Sequence, residues 1–260
     1  MDFGMPTLIE TANLEECAVL CKELGLQFVE LNMNLPQYQI NKIDTEKVLQ
    51  ISEEYGIYYT IHLDENLNIS DFNSYVADSY IKTVLETIAL AKKLHVPVLN
   101  MHLSKGVYFT LPDRKVYLFS EYKEIYLESI KSFINVCESA VKDSPIKICL
   151  ENTDGFTDFH LDALKLFMKS PVFALTFDIG HDYCIGGRDE SVIQSYGKKL
   201  SHMHMHDANN GGKNHLALGT GEIDLPKYLD LAENNNCRVV LETKTVDGLK
   251  KSAEWIKKRG

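Results

Sequence analysis

Eight short apolar runs alternate with eight helical stretches along the chain, at an average of about 32 residues per pair. The strand candidates lie near 1–5, 26–31, 57–62, 97–102, 146–151, 172–178, 200–206 and 237–243. The helices lie near 13–24, 44–55, 73–94, 120–142, 158–169, 189–197, 225–235 and 246–258. This alternation leaves two α/β architectures, a closed (β/α)₈ barrel or a doubly wound open sheet. No glycine-rich dinucleotide fingerprint follows the first strand, which disfavours the open sheet. Punctuation agrees with the boundaries. Asn13 and Asp44 suit helix N-caps, Gly25 and Gly56 fall just past helix ends, and Pro97, Pro145 and Pro171 stand before or at strand starts. The expectation is one (β/α)₈ TIM barrel domain spanning 1–260, a length such a barrel uses fully.

Six strand candidates run into an acid or a histidine. Glu151 closes KICLE, Asp178 closes ALTFD, Glu242 closes VVLE, His204 stands in SHMHMHD, and His62 and His102 end YYTIH and VLNMH. A barrel carries its chemistry at the carboxyl ends of its strands, so these positions can address one ligand from several sides. Glu151, Asp178, His204 and Glu242 combine three carboxylates with one imidazole, a donor set suited to zinc, manganese, magnesium or cobalt. Carboxylates crowded into one mouth repel each other unless a cation lies among them. One ion is expected on this quartet, and His62 and His102 admit a second by sharing Glu151 as a bridge.

Side chains alternate faces along a strand, so taking each candidate ligand as inward fixes its neighbours. Cys149, Ala174, Thr176, Thr60, Val98, Asn100 and Val240 then point inward with the ligands. Ile148, Leu150, Phe173, Leu175, Phe177, Tyr59, Ile61, Leu99 and Met101 point outward. The outward set is bulky and apolar, as residues facing helices should be; the inward set is smaller or more polar. Tyr58 and Lys147 fit this parity only deep in the barrel or at its lower rim.

Further candidates sit on the loops. His181, three residues past Asp178, is placed over the same mouth, to bind substrate or support a ligand. The seventh unit, SHMHMHDANNGGKNHLALGTGEIDL, gathers His202, His204, His206, His215 and Asp207, and its GTG offers a backbone nest for a phosphate. Glu30 and Asn32 at the end of the second strand, and Asn152 beside Glu151, are polar site candidates; Glu30 reads equally as half of a structural ion pair at the rim. Lys105 in HLSKG reads as a solvated lysine with an alternative role toward an anionic substrate.

A formal charge of −10 argues against nucleic acid as a partner. The one basic run, KKSAEWIKKRG, reads as the solvated face of the last helix. No apolar run approaches the length of a bilayer span, and MDFGMPTLIE lacks the regions of a signal peptide. A cytoplasmic location, no membrane and six unpaired cysteines are therefore expected.

These segments resemble the xylose-isomerase-like TIM barrel superfamily, which also contains endonuclease IV. The resemblance spans essentially the whole chain. It is carried by VELN, IH, LNMH, LENT, FDIGH, HMHD with LGTGEID, and LET on successive strands from the second to the eighth. The sugar isomerase and ketose 3-epimerase branch holds one divalent metal on a Glu–Asp–His–Glu quartet, which carries over to Glu151, Asp178, His204 and Glu242. In that branch the two glutamates flank the substrate carbon and pass a proton. The endonuclease IV branch holds three zinc ions, and its pattern carries over to His62, His102, Glu151, Asp178, His181, His204, His215 and Glu242. It departs at Lys213, where that branch has an aspartate, at the first strand, and at Glu65, near where a tyrosine probing the duplex would be expected.

The resemblance thus implies a divalent-metal-dependent isomerase or epimerase of a sugar or sugar phosphate, with a homo-oligomer compatible. Glu151 and Glu242 are the expected proton-transfer bases. His181, His206, His215, Asn152 and Glu30 are the expected substrate contacts. A metal phosphoesterase of the endonuclease IV type stands second, and a dehydratase on the same quartet third.

Overall fold

Caps and apolar stripes place the helices where the sequence suggests. Asn13 Oδ1 accepts the Glu16 amide and Asp44 Oδ1 those of Glu46 and Lys47, while Gly56 ends its helix in the left-handed conformation at φ 64°. The computed structural model describes residues 1–259. Its strands in chain order are β1 (Asp2–Pro6), β2 (Phe28–Asn32), β3 (Tyr58–His62), β4 (Val98–His102), β5 (Tyr108–Thr110), β6 (Lys115–Tyr117), β7 (Lys147–Glu151), β8 (Phe173–Asp178), β9 (Leu200–Met205) and β10 (Arg238–Leu241). Eight of them pair in parallel and close a barrel in the order β1-β10-β9-β8-β7-β4-β3-β2. Among the described residues no helix is long and apolar enough to cross a membrane.

Alternation along the strands sorts the core into two parts. Tyr59, Ile61, Leu99, Met101, Ile148, Leu150, Phe173, Leu175 and Phe177 join the large apolar layer between barrel and helices. Val98, Cys149 and Ala174 form a separate small cluster, inside the barrel. Below them lies an aromatic floor. Phe28 stacks on Tyr58 with ring centroids 5.2 Å apart, and the Tyr58 hydroxyl donates to Asp2 Oδ2 at 2.7 Å. Gly4 is bare for a reason: a Cβ there would stand 2.4 Å from the Phe28 ring. Lys147 escapes from the lower rim and donates to the Pro171 carbonyl.

Four segments depart from the sequence reading. The helix expected near 120–142 is divided at Tyr122 (φ −112°, ψ 46°) into Leu118–Glu121 and Lys123–Val141. An antiparallel hairpin, β5 and β6, precedes it; its three-residue strands are too short to show a period. The helix near 189–197 shrinks to Glu190–Ser195 followed by a 3₁₀ turn. An additional short helix, Ile179–Cys184, starts at Asp178, whose carboxylate accepts the His181 amide at 2.7 Å.

Candidate metal centre

The carboxyl ends of β7, β8 and β9 and the residue just past β10 bring four donors together. Glu151, Asp178, His204 and Glu242 are all buried, and one ligand atom from each lies within 4.8 Å of the others. His204 Nδ1 is 3.2 Å from Glu151 Oε1 and 3.2 Å from Glu242 Oε2. Burial pushes the Glu151 and Glu242 carboxyls up, but the His204 charge, joined by His102 at Glu151, outweighs it and holds both well below the usual range. Burial likewise pushes His204 down, and the three surrounding glutamates overcome it and raise its pKa well above the ordinary value. The acidic cluster thus favours positive charge on these imidazoles.

Two buried donors point to a different source of that charge. Glu242 Oε2 and His181 Nδ1 have no hydrogen-bond partner, although Glu242 Oε2 lies 3.2 Å from His204 Nδ1 and His181 Nδ1 3.3 Å from Asp178 Oδ2. Unpaired buried polar atoms at the mouth of a barrel are costly unless something binds there. Three carboxylates, an imidazole and two open donors fit a divalent cation.

Each member of the quartet is steadied by a neighbour. Asn100 Nδ2 donates to Glu151 Oε2, and Thr176 Oγ1 donates to Asn100 Oδ1 at 2.5 Å. His102 Nε2 and His62 Nε2 lie 3.1 and 3.5 Å from that same Glu151 oxygen, with their rings edge to face. Burial would lower the His62 pKa, but Glu151 raises it to about 9. Lys244 Nζ donates to Glu242 Oε1 at 2.7 Å. His204 Nε2, on the far side of the ring from the quartet, is 2.9 Å from Glu30 Oε1.

Asn152, His206 and Glu30, all expected at the substrate, are buried beside members of the quartet. Asn152 is fully buried: its Nδ2 donates to the Asp178 carbonyl and its Oδ1 accepts the Asp178 amide, locking the backbone of that ligand. His206 is also fully buried. Its Nδ1 accepts the His215 amide at 2.8 Å, so the proton sits on Nε2, 3.1 Å from Asp178 Oδ1. Both nitrogens are thereby engaged within the protein, and His181, His206 and His215 lie close together. A Cβ at Gly180 would stand 1.9 Å from this ring, so glycine is required there. Glu30 is 2% exposed and lies one level below the mouth, in register with Thr60.

His181 and His215 remain half-buried at the mouth, with ring centroids 5.3 Å apart. Burial, reinforced by His206, pushes the His215 pKa down to about 4, so its ring is neutral. The GTG amides expected to form a phosphate nest face Asp207. They are filled from within, Gly219 and Gly221 donating to Asp207 Oδ2 at 3.0 and 2.8 Å and Ile223 to Oδ1 at 3.2 Å. Lys105 is paired with Asp154 at 2.6 Å. Sequence reasoning missed Lys244 as a partner of the site; its position two residues past Glu242 was the available signal.

Residues 18–259 match the family model described as xylose isomerase-like TIM barrel. The protein MJ1311 of Methanocaldococcus jannaschii is 27% identical over 221 residues, covering 81% of this chain and 72% of that protein. A D-tagatose 3-epimerase-like protein superposes with a TM-score of 0.79 at 24% identity, over 99% of this chain and 96% of that one. The 3-keto-D-glucoside 4-epimerase YcjR of E. coli gives a TM-score of 0.77 at 16% identity, over 99% of both chains. IOLI, solved with a bound zinc atom, gives 0.74 at 18% identity over 98% of this chain and 93% of that one. At these identities the structural likenesses establish the fold.

Proposed function

The chain belongs to the xylose isomerase-like TIM barrel family, and from that premise we propose that it is a divalent-metal-dependent isomerase or epimerase of a sugar or sugar phosphate. The observation that carries this reading is the buried Glu151–Asp178–His204–Glu242 quartet with an unpaired Glu242 oxygen. The epimerases among the structural neighbours and the zinc on IOLI agree with it. Asp178 and His204 serve as ligands, and Glu151 and Glu242 as ligands and proton-transfer bases. His62 and His102 can hold a second ion through Glu151.

A hydrogen on a carbon beside a carbonyl is removed only with a base in reach and with the developing oxyanion stabilised. The cation, when bound, supplies that stabilisation. The chain supplies the rest. Glu242 has 10% of its side chain exposed against 1% for Glu151, so substrate meets Glu242 first. Lys244 holds Glu242 Oε1 and keeps the carboxylate ionised, ready to take a proton. Asn100 and His102 hold Glu151 Oε2 and leave Oε1 toward the quartet. His181 and His215 flank the opening, where they orient sugar hydroxyls.

The test is incubation with Mn²⁺ or Co²⁺ and a panel of ketoses and ketose phosphates in D₂O. The expected result is deuterium at one C–H position of one sugar, abolished by a chelator. Absence of exchange across the panel counts against the reading. The placement of His62 and His102 on Glu151 also favours a metal phosphoesterase of the endonuclease IV type. Lys213, in place of the aspartate expected in that branch, weighs against it. Nicking of abasic duplex DNA would promote that alternative.

A further inference from the structure

One face of the molecule keeps its apolar side chains in water. Among the described residues thirteen large hydrophobic side chains are exposed, and nine of them fall between Phe72 and Ile125. They belong to two connections, from β3 to β4 and from β4 through the hairpin to β7. Contacts join the two into one surface. The Phe72 ring meets Phe119 edge to face at 5.4 Å and Tyr122 at 5.8 Å, and Phe72 and Ile125 line one groove. The hairpin packs on the same Phe119: the Leu118 amide donates to the Val107 carbonyl at 3.0 Å, and a Cβ on Gly106 would stand 2.6 Å from the Phe119 ring.

The extent of this surface decides its reading. A buried aromatic side chain removes about 150–250 Å² from water, so the exposed parts of Phe72, Tyr75, Tyr108, Phe109 and Tyr122 amount to roughly 600 Å². Aliphatic neighbours add to it. Monomers rarely expose more than a few hundred Å² of contiguous apolar surface, and a stable interface takes about 800 Å² from each partner. Two features select a second copy of this chain as that partner. β5 and β6 pair only with each other, so each keeps a free edge, and such an edge can meet its own copy antiparallel about a two-fold axis. The face also carries both signs of charge, with Arg114 and Lys115 exposed on the hairpin and Glu121 and Glu124 exposed on the helices beside it. An isologous contact can use such a set on both sides.

We propose that this face is a homodimer interface, in which two copies pack their hairpins and the Phe72–Tyr122–Ile125 surface together. Both connections leave the carboxyl ends of their strands, at His62 and His102, so the partner stands beside the barrel mouth. The proposal is independent of the metal reading.

The experiment is sedimentation velocity of the full chain from about 1 to about 100 μM. Wild type is expected at twice the 29.5 kDa chain mass or a larger even multiple. Phe109→Lys combined with Tyr122→Lys should halve the wild-type mass while circular dichroism stays native, because unpaired charge in an interface core is costly. A wild type at single-chain mass overturns the proposal, as does a double variant with wild-type mass. An equal loss in Ile9→Lys, an exposed position outside the face, overturns it too. If the double variant does not fold, hydrogen exchange of the wild type decides. Protection of amides 107–117 that rises with protein concentration supports the interface. Protection independent of concentration refutes it, and is what a hairpin closing over its own mouth would give.

Discussion

The mouth and the floor of the barrel are built from inward-facing positions of the same strands, yet they differ in whether their polar atoms find partners. At the floor, Tyr58 hydrogen-bonds Asp2, stacks on Phe28 and receives the Arg238 guanidinium 5.8 Å from its ring centroid. Arg238 Nε and His202 Nδ1 are exceptions there, buried without a partner. At the mouth, acids and imidazoles crowd together, and Glu242 Oε2 and His181 Nδ1 stay open. The floor is close to self-sufficient and spends its side chains on stability. The mouth leaves buried polar atoms unpaired. In this fold that division runs along the barrel axis, catalysis above and stability below.

The comparison breaks most decisively at the two glutamates. Glu151→Gln and Glu242→Gln should each lower solvent deuterium exchange by about 10²- to 10⁴-fold while far-UV circular dichroism stays native. Retained exchange in both would detach the mouth from the chemistry. A floor variant should do the reverse. Phe28→Ala removes a fully buried ring and should cost about 3–5 kcal/mol in denaturant unfolding. Its Co²⁺ affinity should match wild type; a large loss would show that the two ends are coupled.

A histidine beneath the mouth loops sharpens the distinction between charge used for ligands and charge avoided for folding. His160 donates from Nε2 to the Ser104 carbonyl at 3.1 Å and accepts the Thr157 amide at Nδ1, so its neutral form is the one that fits. Burial pushes its pKa from 6.5 down to about 4. The unfolded chain therefore takes up this proton first. The contribution of His160 is full above about pH 6.5 and is lost as pH falls toward 4, by about 3 kcal/mol at most. Replacing His160 with Gln should flatten stability across that window when unfolding is followed at several pH values. The smallest effect expected is stabilisation by metal. Co²⁺ at about 100-fold over its Kd should add about 2.7 kcal/mol to wild type. In Glu242→Gln the same Co²⁺ concentration should add less, whereas in Phe28→Ala, compared at one temperature, the gain should be undiminished.

Much of the architecture was legible because period-two alternation is local. Once Glu151 and Asp178 are taken as inward, Cys149, Ala174 and Thr176 follow, and the separate cluster of Val98, Cys149 and Ala174 lies where that parity puts it. The hairpin at 108–117 was not legible, since three-residue strands carry no period. Nor was Asp207 filling the GTG nest, a contact across 12 and 14 residues that no local pattern encodes.

By itself the sequence determined the alternation of strands and helices, and with it which side chains look into the barrel. Only the tertiary structure decided how deep each one sits. Glu30 and His204 share the inward face, but strand stagger around a closed barrel sets Glu30 one level below the quartet, where it meets His202 and Thr60. Tautomers were decided there too. His206 keeps its proton on Nε2 because the His215 amide arrives at Nδ1, and that amide is brought by a loop whose path depends on the whole fold.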